Sequence, residues 1–179
     1  MSSKITFLLF PLLLFTLLQA SCQSKEDKEK YQAALQESLN SIRISANRLD
    51  SQLSRQIDLS SVLLNVIKTN FPNKQADKEF LSLKRLRDEY NVAKKAILPE
   101  SYKNQSVDLS RIDKYISDAS TTLNKALVNL EKDPSTARDQ NASDLAAQLK
   151  GTNNRIETAR ADLQTTIDNH NKTFPKDKM

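Results

Sequence analysis

The chain contains a single glycine, Gly151, among its 179 residues, and this scarcity limits the folds open to it. Hairpins, bulges and tight turns rely on glycine for backbone conformations that other residues rarely adopt, so a sheet protein is disfavoured. Glycine-rich phosphate-binding loops are excluded for the same reason. Tryptophan is absent and aromatic residues make up only 6% of the chain. The core is therefore expected to consist of aliphatic side chains, which is typical of a helical protein.

Apolar residues recur every three or four positions in four segments, and this spacing places them on one side of a helix. The first segment carries them from Leu35 to Phe71, with Leu64 among them, and the last from Leu145 to Ile167. Proline removes a backbone donor and clashes with the preceding turn, so each proline predicts a helix boundary. The prolines that separate or follow these segments are Pro72, Pro99, Pro134 and Pro175.

The connections between the four segments are short and polar, which favours antiparallel neighbours. Asp108 or Ser106 is expected to cap the third helix, and Asp139 or Ser143 the fourth. The sequence therefore predicts an all-α fold, an elongated up-down antiparallel helical bundle of about four helices that follows an N-terminal signal segment.

The N-terminal segment is uniformly apolar from Ile5 to Leu18, apart from two threonines and Pro11. A helix of that length reaches about 21 Å at 1.5 Å per residue, whereas a hydrocarbon core is about 30 Å thick. Residues 1–21 are accordingly interpreted as a secretory signal peptide, in preference to an uncleaved anchor or a buried core helix.

The only cysteine, Cys22, directly follows the small residues Ala20 and Ser21. This arrangement resembles a bacterial lipoprotein cleavage box, although Gln19 stands where such boxes usually carry Leu, Val or Ile. We expect Cys22 to be the lipid attachment site, with acyl chains such as palmitate holding the protein on a membrane. Simple cleavage after a small residue is the alternative. A disulfide within the chain is excluded, because Cys22 has no partner.

The remaining chain divides by composition into a charged tether at 22–30, a helical bundle at 31–175 and a disordered tail at 176–179. Removal of residues 1–21 lowers the formal net charge from +5 to +4. Basic and acidic residues are interspersed along the helices, which indicates a mixed surface. No basic block with interleaved aromatic residues is present, so no nucleic-acid partner is expected.

Two segments carry a family resemblance. LSRQIDLSSVLLNVIK (Leu53–Lys68) and LKGTNNRIETAR (Leu149–Arg160) resemble early and late segments of LemA family proteins, and the closing HNKTFP resembles the end of that family. Asn153 stands where the family usually has Glu, Ser61 where proline is common, and His170 where tyrosine is usual. The resemblance implies a helical bundle held at a bacterial envelope membrane, with no well-defined reaction to inherit. The late-segment positions that match are Gly151, Thr152, Asn154, Arg155, Ile156, Ala159 and Arg160.

The residues Gly151, Asn154 and Arg155 form the one candidate site inside the bundle. Glycine costs a helix roughly 1 kcal/mol against alanine, so we expect a neighbouring helix to approach Gly151 closely. Asn154 and Arg155 are expected to hydrogen-bond toward Asp50 or Asp58 of the first helix. A structural polar clamp is favoured over a binding site.

Catalytic and metal-binding residues are not predicted. His170 is the only histidine, so it has no partner for a histidine-based metal site, and no cofactor is expected. The carboxylates lie in patterns typical of a solvated surface.

These features predict a non-enzymatic, membrane-anchored helical scaffold or interaction lipoprotein of the bacterial cell envelope. It would be exported and held through Cys22 on the periplasmic face or the cell surface, with an envelope protein as partner. The alternative is an adhesin-like surface lipoprotein that binds host or matrix molecules. An enzyme ranks third and would need a deep pocket at Asn154 and Arg155.

Overall fold

The computed structural model describes residues 6–74, 77–97 and 109–177, with side chains from residue 25 onward except at 79 and 95–97. Every element in these ranges is helical, which confirms the predicted all-α class. The elements are α1 (Thr6–Asn70), a 3-10 turn (Pro72–Lys74), α2 (Lys78–Leu83), α3 (Leu86–Ile97), α4 (Leu109–Lys132), α5 (Pro134–Ala137) and α6 (Gln140–Thr173).

The chain separates into two compact units, Met1–Asn40 and Ser41–Met179. In the first unit the side chains of residues 25–34 are exposed, and Lys30 pairs with Glu26 at 2.7 Å one helical turn earlier. The side chains of the predicted signal peptide and of Cys22 lie outside the described part of the chain. Within the described residues, none of the helices has the length and apolar character needed to cross a membrane.

In the second unit α1 and α6 pack antiparallel. The hydroxyl of Ser45 lies 3.2 Å from that of Thr166, whereas Asn70 at the end of α1 donates to Asp139 at the start of α6 over 3.1 Å. Positions that ascend along α1 therefore face positions that descend along α6.

Helix α4 also runs antiparallel to α6, because Asp113 near its start pairs with Arg160 while Glu131 near its end pairs with Lys150. Helix α3 reaches back along α1, where Tyr90 bonds to Asp50. The four long segments thus alternate in direction, and the predicted up-down antiparallel bundle is confirmed.

The core follows a stricter repeat along α1 than the apolar residues alone suggest. The buried positions of α1 are separated by steps of four and three residues, and these steps continue through the polar residues Gln56 and Ser60. The next step after Ser60 reaches Leu63, so Leu63 is fully buried and Leu64 is only half-buried. Tyr115 on α4 is likewise buried in preference to Ile116. The buried positions of α1 up to its end are Ile42, Ala46, Leu49, Leu53, Gln56, Ile57, Ser60, Leu63 and Ile67.

The helix ends follow the proline and capping signals where the structure describes them. Helix α1 ends two residues before Pro72, Pro134 opens α5, and α6 ends two residues before Pro175. Asp139 caps α6, since its Oδ1 accepts from the Ala142 amide over 2.9 Å. Pro99, Ser106 and Asp108 lie outside the described residues.

Candidate functional site

A polar contact joins three helices in the middle of the bundle. Gln56 on α1 is 1% exposed, and its Nε2 donates to Oδ1 of Asn153 on α6 over 2.7 Å. The Nδ2 of Asn153 in turn donates to the Ser120 hydroxyl of α4, also over 2.7 Å. We refer to Gln56, Asn153 and Ser120 as the Asn153 clamp. It fixes the register of α1, α6 and α4, because each bond requires a particular pairing of positions.

The predicted trio lies beside this clamp. The Nε of Arg155 donates to Oε1 of Gln52 over 3.3 Å, and its Nη2 donates to the Thr152 hydroxyl over 3.0 Å. Arg155 therefore does reach α1, although its partner there is Gln52 where Asp50 or Asp58 was expected. Asn154 is exposed, and its backbone carbonyl accepts from the Thr158 hydroxyl.

Gly151 is not explained by a close neighbour. A Cβ added there would meet only the Arg155 guanidinium nitrogens, at 3.7 and 3.9 Å, which are ordinary contact distances. No described backbone of another helix approaches within 4 Å of that position. The close helix approach expected at Gly151 is therefore not found, because α6 meets α1 through the side chains of Asn153 and Arg155.

A second polar contact lies between α1 and α3. Asp50 accepts a 2.5 Å hydrogen bond from the Tyr90 hydroxyl and lies 3.0 Å from the Lys94 ammonium group. Burial raises the pKa of Tyr90 well above its usual value, and the bonded carboxylate of Asp50 adds to this effect. The Tyr90 phenol thus stays protonated and donates to Asp50.

Tyr115 lies next to Tyr90, with the ring centroids 6.0 Å apart. Its hydroxyl is buried and has no hydrogen-bond partner within the described part of the structure. Burial raises the pKa of Tyr115, and the nearby carboxylate of Glu89 contributes in the same direction. This buried phenol therefore stays protonated and packs against Tyr90 in the core.

Asp133 organises the corner between α4 and α5. Hydrogen bonds from the hydroxyl and the amide of Ser135, at 2.5 and 2.8 Å, hold the pKa of Asp133 well below its usual range. Lys74, 3.1 Å away, acts in the same direction. The ionised carboxylate therefore serves as a cap and a link to the turn after α1.

His170 is buried at the end of α6, where its contacts hold the C-terminal residues against the helix. Its Nε2 lies 2.8 Å from the Asp177 carbonyl, to which it donates, and its ring packs on Phe174 with centroids 5.3 Å apart. Across the residues that the structure describes, no group of three His, Cys, Asp or Glu side chains is arranged to hold a metal ion.

A cleft of about 780 Å³ lies between α1 and the α2–α3 pair of the second unit. We call it the α1–α3 cleft. Its rim is basic, its floor is apolar, and neutral polar groups lie between them. No carboxylate belongs to the described lining. The lining residues are Ile57, Ser60, Ser61, Leu64, Asn65, Ile67, Lys68, Phe80, Leu83, Lys84 and Arg87.

Neither the Asn153 clamp nor the burial of Ser60 was predicted from the sequence. In each case a polar side chain occupies a position of the buried repeat, and the search for apolar spacing passes over such residues. A strict heptad count from Ile42 would have reached Gln56 and Ser60, because every preceding step is four or three.

No curated protein matches the chain significantly. The model of the LemA family matches residues 45–177, a range that contains the Asn153 clamp, the α1–α3 cleft and the late segment around Arg155. This match extends over most of the second compact unit and well over half of the sequence. The chain therefore belongs to the LemA family.

Proposed function

We propose that this chain is a non-enzymatic, membrane-tethered helical scaffold or interaction module of the bacterial cell envelope. The observation that carries the proposal is the Asn153 clamp, where the polar groups in the middle of the bundle are used to join helices. Catalysis requires a nucleophile or a base aimed at a substrate in a concave site. Here the Gln56 amide donates to the Asn153 amide, which supports a rigid body whose exterior meets a partner.

The tether in this proposal is lipid on Cys22, exposed after removal of residues 1–21 outside the cytoplasm. Support comes from the small residues before Cys22 and from the exposed charged positions 25–30 that follow it. Two or more acyl chains give firm attachment, whereas one gives only reversible binding. A tethered bundle would act from the periplasmic face or the cell surface.

The partner surface in this proposal includes large apolar side chains that are left in solvent. Ile44 on α1 is 66% exposed, Val92 on α3 is 63% exposed and Val128 on α4 is 45% exposed. Such residues gain free energy when a protein partner covers them, at about 25 cal/mol per Å² of apolar area removed from water. They favour an envelope protein as partner over a polyanion.

The tether is tested with the Cys22→Ala variant in intact cells labelled with radioactive palmitate. We expect the unaltered protein to carry label and to sediment with membranes, and the variant to lose both properties. Ser24→Ala lies outside the cleavage box and is the matched control, which should behave like the unaltered protein. Retention of Cys22→Ala on membranes, with an unaltered protein that carries no label, would contradict lipid attachment.

The partner is tested by placing a photo-reactive amino acid at Ile44, Val92 or Val128 in cells and sequencing the crosslinked peptides. We expect one recurring envelope protein from at least one of these positions. The same residue at Glu37, an exposed position of the first unit, serves as control. Adducts only to host or matrix molecules would support the adhesin alternative, and turnover of a captured small molecule would support an enzyme.

A further inference from the structure

The α1–α3 cleft contains a buried polar atom that no protein group satisfies. Ser60 is 2% exposed, lines the cleft, and its hydroxyl has no hydrogen-bond partner among the described residues. A buried hydroxyl without a partner costs about 1–3 kcal/mol, so most folded proteins avoid it. Ser61, next to it, already donates to the Ile57 carbonyl over 2.9 Å. The two neighbouring serines therefore differ, and only Ser60 retains an unused donor.

The described residues that line the cleft carry charge of one sign only. Lys84 and Arg87 stand exposed on the α2–α3 side and Lys68 on the α1 side, while no described lining residue is acidic. Lys84 and Arg87 form no ion pair with any described residue. Like charges that share a concave surface repel one another and raise the local positive potential, which attracts an anion. Elsewhere in the bundle Arg48, Lys74 and Arg160 are each paired with an aspartate.

We propose that the α1–α3 cleft is a binding site for a phosphoester group, with Ser60, Lys84 and Arg87 as its ligands. Arg87 offers a planar fork that matches phosphate geometry, and Lys84 offers a compact point charge. The Ser60 hydroxyl donates to a phosphoryl oxygen from the floor. Asn65 supplies a further amide donor at the edge of the cleft.

A phosphoester fits this donor set better than a carboxylate. The Arg87 guanidinium, the Lys84 ammonium group, one amide and one unused hydroxyl together exceed the acceptor sites of a single carboxylate, which accepts about four bonds. A phosphoester spreads its charge over more oxygens that point in different directions. The half-buried Leu64 and the buried Phe80 form the apolar part of the floor, against which a short hydrocarbon portion can lie. A volume of about 780 Å³ is within the usual range for small-molecule sites.

This site goes beyond the proposed scaffold role and does not depend on it, because it concerns a different surface from the exposed apolar residues. The same chemistry can come from two sources, a phospholipid headgroup or a free phosphate ester. Short-chain dihexanoyl phosphatidylglycerol, used below its micelle concentration, represents the first source. Inorganic phosphate represents the second, and dihexanoyl phosphatidylcholine is the zwitterionic comparison.

The experiment measures dissociation constants on the full chain in nonionic detergent by tryptophan fluorescence. The chain has no tryptophan, so a Leu81→Trp reporter at a 43% exposed position, next to the cleft residue Phe80 on α2, gives the only tryptophan signal. We expect saturable binding of dihexanoyl phosphatidylglycerol. Binding that is at least about tenfold weaker is expected for phosphatidylcholine, because its choline cation meets Lys84 and Arg87. Isothermal titration without the reporter checks that the tryptophan does not create the site.

The charge requirement is tested by the double variant K84Q/R87Q against the matched double variant K125Q/K132Q on α4. Lys125 and Lys132 line another concave surface, so both variants lose two charges. We expect K84Q/R87Q to weaken binding at least about tenfold and K125Q/K132Q less than about twofold. Equal weakening by both pairs would show long-range attraction only and would overturn the site. Absence of saturable binding of either probe would overturn it as well.

Ser60→Ala separates a ligand role from a structural one. We expect this variant to fold with unchanged or higher thermal stability and to bind the phosphoester about fivefold more weakly, since only a donor to the ligand is lost. Unchanged affinity would remove Ser60 from the site and overturn the proposal as stated. Equal affinities for inorganic phosphate and dihexanoyl phosphatidylglycerol would identify a free phosphate ester as the ligand. Tighter binding of the lipid would identify a headgroup.

Discussion

Gln56 and Ser60 lie one helical turn apart on α1, and the donor groups of these two buried polar residues differ in whether they find a partner. Gln56 belongs to the Asn153 clamp and donates to a partner on α6. Ser60 faces the α1–α3 cleft and finds no partner within the described part of the chain. Because both side chains are 2% exposed or less, burial alone does not separate them. What separates them is the pairing of their donors, since the Oε1 of Gln56 also lacks a described partner. We infer that the paired donor serves the fold while the unpaired donor serves a ligand.

The largest effect expected from this comparison is at Asn153. Asn153→Ala removes both of its cross-helix bonds and leaves Gln56 and Ser120 without partners, so we expect the free energy of unfolding to fall by about 2 kcal/mol. Urea denaturation measures it. Asn154→Ala is the matched control, because it makes the same chemical change at an exposed neighbour and should shift stability by no more than about 0.5 kcal/mol. Equal effects of the two variants would show that the clamp is not structural.

The buried tyrosines Tyr90 and Tyr115 also differ in pairing, because only the Tyr90 hydroxyl has a described hydrogen-bond partner. Tyr90→Phe removes a hydrogen bond to the Asp50 carboxylate, so we expect a loss of about 1.5 kcal/mol in the free energy of unfolding. Tyr115→Phe removes a hydroxyl without a described partner and should leave stability unchanged or slightly higher. Chemical denaturation at neutral pH measures both. A loss at Tyr115→Phe equal to that at Tyr90→Phe would mean that the Tyr115 hydroxyl does have a partner.

The same residues predict a loss of stability in alkali. Burial raises the pKa of both phenols in the folded state above their usual value of about 10 in the unfolded chain. Their contribution is therefore complete below about pH 10 and declines as the pH rises from there toward the folded-state values. We expect the melting temperature to fall above about pH 10, and to fall less steeply in the Tyr90→Phe, Tyr115→Phe double variant. An unchanged slope in the double variant would assign the alkaline loss to other groups.

The fold was accessible from the sequence because its signals are local. Scarcity of glycine, apolar spacing and the prolines each act within one helix or one turn, and Asp139 caps α6 through bonds to nearby amides. These features predicted the helix class, the antiparallel order and the boundaries near Pro72 and Pro134. The short α5 and the break between α2 and α3 at residues 84–85 were not predicted, since no glycine or proline marks that break.

The candidate site was less accessible because it depends on pairing between distant residues. The family resemblance drew attention to Asn154 and Arg155, yet the residue that faces the bundle is Asn153, where the family usually has Glu. Helix phase decides this difference. One position corresponds to about 100° of rotation, and this rotation leaves Asn154 in solvent while Asn153 faces α1. Likewise, Leu63 displaces Leu64 from the core, and this displacement leaves Leu64 half-buried in the α1–α3 cleft.

Gly151 lies two residues before Asn153 of the clamp, and its surroundings allow a separate prediction. Because a Cβ there would meet only the flexible end of Arg155 at ordinary distances, Gly151→Ala should raise the free energy of unfolding by about 1 kcal/mol. The reverse change at Ala161, an exposed position of the same helix, should lower it by a similar amount. Urea denaturation measures both variants. Destabilisation by Gly151→Ala would show that glycine is needed there for a contact made outside the monomer.

The smallest effect on stability is expected at Ser60, and it tests the contrast between Ser60 and Gln56 most directly. Ser60→Ala exchanges a buried hydroxyl without a described partner for a methyl group with better helix propensity, so we expect the free energy of unfolding to rise by about 0.5 kcal/mol. Gln56→Ala, one turn earlier, should lower it, because Asn153 then loses a bond. Urea denaturation of the two variants in phosphate-free buffer measures the contrast without ligand. A loss of more than about 1 kcal/mol for Ser60→Ala would mean that the hydroxyl is satisfied inside the fold. In that case the cleft would lose its unused donor, and Lys84 and Arg87 alone would not distinguish it from an ordinary basic surface.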